Sequence, residues 1–466
     1  MNASPTPGVA AWTDRVRAWH LVLLCLLLYL PILASTPLAE PDEGRYAEIP
    51  REMLSSGDFV TPRLNGVLYF EKPVFYYWAV AGAEYVLGQN ELAARSITLL
   101  SGLLGVLLTF YLGTSMGSRR LGVYGAAILA VSPLWATFSR VNTIDLCVSV
   151  WITATLAAFW WASRDGAGKK PWYALFAASA LAVLTKGLIG MVLPGGVIFV
   201  YLLLSRRWKL LLRVPWITGT LLFAAIAVPW HVLVAQRNPS FLWFYFVHEH
   251  FLRYTTDVAE RTGPAWYYLP VLLVGLLPWS GLLPASWRLF RAPTDAAERD
   301  ATIFLGSWAA LIVLFFSTSK SKLIPYVLPA WPALALLAAM VLIRVDPSAK
   351  GSRGARIGLA VTTPVLLLVF GGLAWGATGA AGPKLGQEMF FSLPLLLAAT
   401  AGALLALAAF VRLLRGSVDR ALLPLLLASM AFIACLVIAG QEVMKGRTAK
   451  GIAQCIEALD DGRAVV

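Results

Sequence analysis

Apolar runs of 15 to 22 residues recur along the chain, separated by short polar stretches in which arginine and lysine cluster. Runs of this length cross about 30 Å of hydrocarbon as helices. Backbone groups cannot stay unpaired in lipid, so spans are helices or a closed barrel. These runs are rich in Leu and Ala and lack two-residue alternation, which excludes the barrel. The pattern predicts an all-α polytopic membrane protein.

Seven basic clusters punctuate the runs: Arg15/Arg17, Arg119/Arg120, Arg164/Lys169/Lys170, Arg206 to Arg213, Arg288 to Arg299, Arg344 to Arg356 and Arg412 to Arg420. Cytoplasmic loops carry the lysine and arginine excess, so two spans are expected between successive clusters. From Arg119 onward the runs fall in such pairs: 121–139 and 146–163, 171–185 and 187–204, 214–235 and 266–285, 301–317 and 325–343, 357–375 and 390–411, with a last span at 421–439. Three apolar stretches lie between the first two clusters, near 19–34, 73–88 and 92–114, and parity allows only two to cross. The middle one, PVFYYWAVAGAEYVLG, contains Glu84 and opens with aromatics suited to an interface, so it is read as a non-spanning helix at the membrane surface. The expected total is about thirteen spans. Residues 1–18 form the cytoplasmic N-terminus, 19–439 the transmembrane domain with an extracytoplasmic loop at 35–95, and 440–466 an extracytoplasmic C-terminal segment.

Composition agrees with this plan. The 466 residues are 59% hydrophobic and 14% charged, with mean hydropathy +0.71. The net charge of +13 is placed in inter-span clusters, which disfavours nucleic acid as its partner. Four scattered cysteines, Cys25, Cys147, Cys435 and Cys455, indicate neither metal-ligand spacing nor a disulfide framework and read as packing residues. The first apolar run is not followed by a cleavage site and a soluble domain, so it is a retained span.

Charge instead concentrates on the extracytoplasmic side. PDEGRYAEIPREML, Pro41 to Leu54, packs four acids and two arginines into fourteen residues. Further polar groups stand at outer span ends: Glu71/Lys72, Asp145, Lys186, FVHEHFLRY (Phe246 to Tyr254) and STSKSKLIPY (Ser317 to Tyr326). Charged groups in membranes face a cavity, the interface or a partner, so six such groups gathered at one level point to a single outward-facing cleft. Each residue also has a plainer reading. Asp42 is suited to cap the helix that follows, Asp145 to cap its span, and Arg45 and Arg51 to pair with Glu48 and Glu52. Glu71 and Lys72 read equally as a loop ion pair, and His248 as structural. Two carboxylates at one membrane level nevertheless match what an acid/base reaction needs. Lys320 and Lys322 stand on the side normally depleted of lysine, where an anionic lipid head group would use them, with Tyr326 adding a hydroxyl.

The run PDEGRYAEIPREMLSSGDFVTPRLNGVLYFEKPVFYYW, Pro41 to Trp78, resembles the first extracytoplasmic loop of the bacterial lipid A 4-amino-4-deoxy-L-arabinose transferases. These belong to the GT-C glycosyltransferases, together with the protein O-mannosyltransferases. RVNTIDLC, TKGLIG and KSKLIPYVLPA continue the resemblance through most of the membrane region, and thirteen spans agree with it. The resemblance implies a donor sugar carried on undecaprenyl phosphate, lipid A as acceptor and a periplasmic site on the inner membrane. It implies catalytic roles for Asp42, Asp145 and Lys186, donor-phosphate binding by Lys72, Arg253 and Tyr326, and a divalent ion, zinc, at Glu71 and His248; Arg45, Lys320 and Lys322 are expected at the same phosphate from their charge and side of the membrane. The family continues into a soluble periplasmic α/β domain, of which the segment after the last span here resembles only the beginning. Two other readings are a GT-C transferase with a protein or another glycan as acceptor, and a transporter of a lipid-linked anion. Transporters place ionisable groups near the bilayer midplane in broken, repeated helices, whereas here the acids gather at one face.

Overall fold

The computed structural model describes residues 13–252, 262–344, 352–378, 392–445 and 448–450. Each of the thirteen apolar segments is helical in it, and so is the predicted surface segment, as Phe75–Leu87. Eight described helices are long and apolar enough to cross a membrane, or nine when Tyr268–Gly275 and Trp279–Arg291 count as one span. The expected thirteen crossings are therefore not all supported by length. Ala18–Tyr29 and Ile189–Ser205 are apolar but shorter, and the segment predicted at 121–139 divides into Arg119–Ala130 and Pro133–Phe138. The segment predicted as a straight span at 266–285 bends by 109°. The last helix, Val418–Lys445, runs beyond its predicted end at 439, and 451–466 lie outside the described residues.

Burial separates inner from outer helices. Ile144–Ala162 and Ile324–Ile343 are 83% and 89% buried by other helices, whereas Trp216–Arg237 and Leu393–Leu414 are 22% and 28% buried and leave their remaining apolar surface for lipid. The main core joins the first helices to the central pair through Tyr29, Trp135, Trp160, Trp308 and Trp331. Helices 353–377, 393–414 and 418–445 pack on one another around Phe370, Ala399 and Phe432. Cys25, Cys147 and Cys435 are buried, unpaired thiols, in keeping with packing roles.

The extracytoplasmic loop has its own architecture. The rim helix, Asp42–Ser56, stops at Gly57, whose φ of 70° suits glycine. A hairpin follows, Arg63–Leu64 against Val67–Leu68, turned by Asn65 and Gly66 at φ 52° and 75°. Asn-Gly is the pair that a two-residue turn with both φ positive prefers. The surface helix Phe75–Leu87 then leads to Asn90, whose side chain accepts from Ala93 N at 2.9 Å and starts the span Glu91–Met116. Tyr46, Ile49 and Met53 of the rim helix pack with Tyr76, Tyr77 and Val80 of the surface helix and with Trp230 and Tyr245. This separate core holds the charged loop firmly over the bundle.

Candidate active site

Neither conspicuous acid is a helix cap. The N-cap of the rim helix is Pro41, and Asp42, in the first turn, makes no side-chain capping bond. The cap before Asp145 is Thr143, whose hydroxyl accepts from Asp145 N at 3.5 Å. The capping readings of both residues are thus corrected: each carboxylate is available for other contacts.

Asp145, 8% exposed, receives an ion pair from Lys186 Nζ and a hydrogen bond from Thr143 Oγ1 at 3.1 Å to Oδ2. Lys186 closes the helix Lys170–Lys186, and its ammonium also lies 4.7 Å from the Tyr326 ring centroid, over the ring face. Three separate loops therefore bring Asp145, Lys186 and Tyr326 together. Asp42 has a 60% exposed side chain and stands 3.7 Å from Arg45 Nη1. Arg45 also donates to the Tyr69 hydroxyl at 3.3 Å, and Arg51 pairs with Glu48 through bonds of 2.6 and 2.7 Å. Of the expected partners only Glu48 is taken, by Arg51; Arg45 turns towards Asp42 and Tyr69, and Glu52 accepts from Gly66 N at 3.2 Å.

The Tyr46 phenol of the rim helix is buried. Burial pushes its pKa well up, the neighbouring Tyr77 and Tyr69 add to this, and Asp145 and Asp42 both raise it further. Tyr69 connects this group to the next: burial raises its pKa, then Glu71, while Arg45 opposes.

Lys72 is the centre of the second cluster. Its ammonium donates to the Glu71 carbonyl at 2.7 Å and to Glu249 Oε2 at 3.1 Å, with Glu71 Oε2 at 4.0 Å. Glu249, 5% exposed, also faces His248 Nδ1 at 3.4 Å from its other oxygen, and the His248 ring stacks on Phe244 at 4.9 Å. Glu249 received no role from sequence reasoning, although a carboxylate between two histidines in an aromatic run was a signal for it. Tyr46, Tyr69 and Thr143 were missed too, since nothing in their local sequence marks a polar contact.

Among the described residues no three His, Cys, Asp or Glu side chains converge closely enough to hold a metal ion. Zinc takes three or four protein ligands. Glu71 and His248 offer two, and Lys72 already engages Glu249. The described donor set does not fit zinc. Lys322 also differs from expectation. It is 6% exposed, and its ammonium donates to the carbonyl of Ser319. Burial and the neighbouring Lys320 lower its pKa. Among the described residues no contact joins Lys320 or Lys322 to the other candidate groups, and Arg253 lies outside them.

Helical spans under a polar, lysine-bearing outer cleft define a multi-spanning membrane protein of the GT-C fold. Residues 16–245 match the family model of dolichyl-phosphate-mannose-protein mannosyltransferases. The chain is 33% identical over 378 residues to the undecaprenyl phosphate-alpha-4-amino-4-deoxy-L-arabinose arabinosyl transferase of Edwardsiella ictaluri, covering 78% of this chain and 67% of that one. Its counterpart in Aeromonas salmonicida is 36% identical over 332 residues, covering 70% and 60%. The crystal structure of ArnT from Cupriavidus metallidurans bound to undecaprenyl phosphate superimposes with a TM-score of 0.81 at 32% identity, over 96% of this chain and 80% of that one. This chain belongs to the family of undecaprenyl phosphate-aminoarabinose arabinosyl transferases. It spans 67% and 60% of the lengths of those two curated relatives.

Proposed function

We propose that the chain is an inverting glycosyltransferase of the bacterial inner membrane, moving 4-amino-4-deoxy-L-arabinose from undecaprenyl phosphate to a lipid A phosphate on the periplasmic face. The observation that carries this reading is the buried Asp145–Lys186 pair set against Tyr326, together with Asp42 beside Arg45 and Lys72 between Glu71 and Glu249. Relatives support it through the transfer their name describes and through the ArnT crystal structure, which holds undecaprenyl phosphate.

The reaction is a direct displacement. An acceptor phosphate oxygen bonds to the anomeric carbon as the bond from that carbon to the donor phosphate oxygen breaks, and the bonding pair leaves with undecaprenyl phosphate. Attack opposite the leaving group inverts the centre, so no covalent sugar intermediate is needed. Asp42, exposed and movable, orients the acceptor and takes its proton if it arrives protonated. Asp145 is held by Lys186 and Thr143 and fixes the far side of the sugar. Lys72 and Arg45 stabilise the departing phosphate, Lys as a compact charge and Arg as a planar fork. Tyr326, beneath Lys186, supplies a hydroxyl, and Arg253 is assigned to the phosphate by its resemblance alone. Lys320 and Lys322 are secondary, since Lys322 is committed to Ser319.

Mass spectrometry of lipid A from cells with and without the gene tests this. A gain of one aminopentose per phosphate supports the assignment. Unchanged lipid A alongside altered protein glycans replaces the acceptor.

A further inference from the structure

A cavity of about 730 Å³ opens between the rim helix, the hairpin turn at Asn65, the surface helix at Glu84 and the first turn of the span that begins at Glu91. Asp145, Lys186 and Tyr326 do not line it, so it is separate from their cluster; Arg45, on its wall, faces Asp42.

Its charges leave an excess of carboxylate. Arg51 is taken bidentately by Glu48, Lys450 pairs with Glu91, and Arg45 turns to Asp42 and Tyr69. What remains is Glu40, exposed at the mouth, and Glu84 inside. Glu84 is 5% exposed, and its Oε2 is buried with no hydrogen-bond partner among the described residues. A buried polar atom in a native protein nearly always has a partner, and a buried carboxylate without one is costly. Burial raises the Glu84 pKa to about 7, with Glu48 adding to the shift and Arg51 opposing it. Arg51, the positive group nearby, is already taken by Glu48.

We propose that this cavity binds a primary ammonium group, which donates to Glu84 inside and to Glu40 at the mouth. An ammonium has three N–H donors and needs only a few acceptors around it. A divalent cation would need six or more oxygens close by, and no three metal-ligating side chains converge among the described residues. The volume lies within the range of small-ligand pockets and exceeds what an amine alone fills. The amine is therefore carried on a larger polar body, for which the side chains of Asn65 and Gln89 line the wall. Tyr85, Val86 and Leu87, next to Glu84, are 81%, 77% and 49% exposed, which sets the cavity at the membrane interface. The amine can arrive on a soluble aminosugar or on an ethanolamine lipid head group.

The probe is glucosamine, with glucose as its neutral counterpart, titrated against the full chain in phosphatidylglycerol nanodiscs and followed by saturation-transfer NMR. Glucosamine should bind and glucose should not. Glu84→Gln should weaken glucosamine by about tenfold or more, the usual range for losing a charge-assisted contact. Transfer activity and the unfolding midpoint of that variant report that it is folded, and Glu40→Gln, at the exposed mouth, should give a smaller loss. Wild-type affinity should fall as pH drops below about 7, because protonated Glu84 loses its charge. If nanodiscs containing phosphatidylethanolamine lower the apparent glucosamine affinity, the head group is the occupant; if they leave it unchanged, a soluble amine is. Equal binding of glucose, no binding of glucosamine, an unaffected Glu84→Gln variant, or displacement of glucosamine by equimolar magnesium would each overturn the proposal.

Discussion

Arg95 clasps the carboxylate of Glu43 with Nε at 2.7 Å from one oxygen and Nη2 at 2.8 Å from the other, and both side chains are 2% exposed. The same carboxylate accepts from Asn142 N at 2.8 Å and Ala39 N at 2.9 Å, while Asn142 Nδ2 donates to the Glu43 carbonyl at 3.2 Å. Glu43 follows Asp42, and Asn142 lies three residues before Asp145. A single buried ion pair thus ties together the two loops that carry the acids. Breaking such a pair from one side leaves an uncompensated charge, at a cost of about 3–5 kcal/mol. Glu43→Gln should lower the thermal midpoint in detergent and reduce transfer with it. A variant as stable as wild type would show that the clasp is not structural.

Asp42 is exposed and caps nothing, so Asp42→Asn should change stability by no more than about 0.5 kcal/mol. Transfer should fall by about 10² to 10⁴, the usual contribution of a positioned acid or base. Turnover of radiolabelled donor by purified protein measures this, and full activity would remove Asp42 from the chemistry.

Lys186 and Asp145 should be energetically coupled. Lys186→Met leaves Asp145 buried without its counter-charge, and Asp145→Asn leaves Lys186 so. Each single variant should be destabilised and inactive. The double variant should recover stability and not activity, with a coupling of about 0.5–3 kcal/mol for groups in contact. Strictly additive midpoints would show that the contact contributes nothing.

Lys72 is held by the Glu71 carbonyl and Glu249. If it grips the donor phosphate, Lys72→Ala should lower kcat/KM for the donor by about a hundredfold, as loss of a preorganised charge contact does. Equal values for both proteins would place the phosphate elsewhere.

Glu84 makes stability depend on pH. Its folded carboxyl is raised from 4.5 to about 7, so between those values the folded state holds the proton and the unfolded state has lost it. Stability from this group is full below about 4.5 and is lost as pH rises through 7. At pH 8 Glu84→Gln should therefore be more stable than wild type, by up to about 3 kcal/mol on the size of the shift, and the gap should close near pH 4.5. Midpoints measured across this range decide it, and a gap that widens on acidification would reverse the sign.

Membrane segments were legible because lipid imposes a local rule: every apolar stretch must satisfy its own backbone, so length and hydropathy alone mark it. The helix Phe75–Leu87 followed from its apolar run, and the residue types of the cleft from their side of the membrane. The capping roles of Asp42 and Asp145 were misjudged because a cap depends on which side chain turns back to the backbone. Thr143 takes that place before Asp145, and no side chain caps the rim helix.

Sequence alone determined the helical class, the sidedness and the family, since each rests on composition and order along the chain. Only the tertiary structure decided that Glu249 meets Lys72 across 177 positions, that Lys322 turns inward to its own loop, and that Glu84 lies buried without a partner among the described residues. The reason is range. Hydrophobicity acts residue by residue and is visible in a window, whereas an ion pair or an unpaired carboxylate depends on which distant segments the packed helices bring into contact.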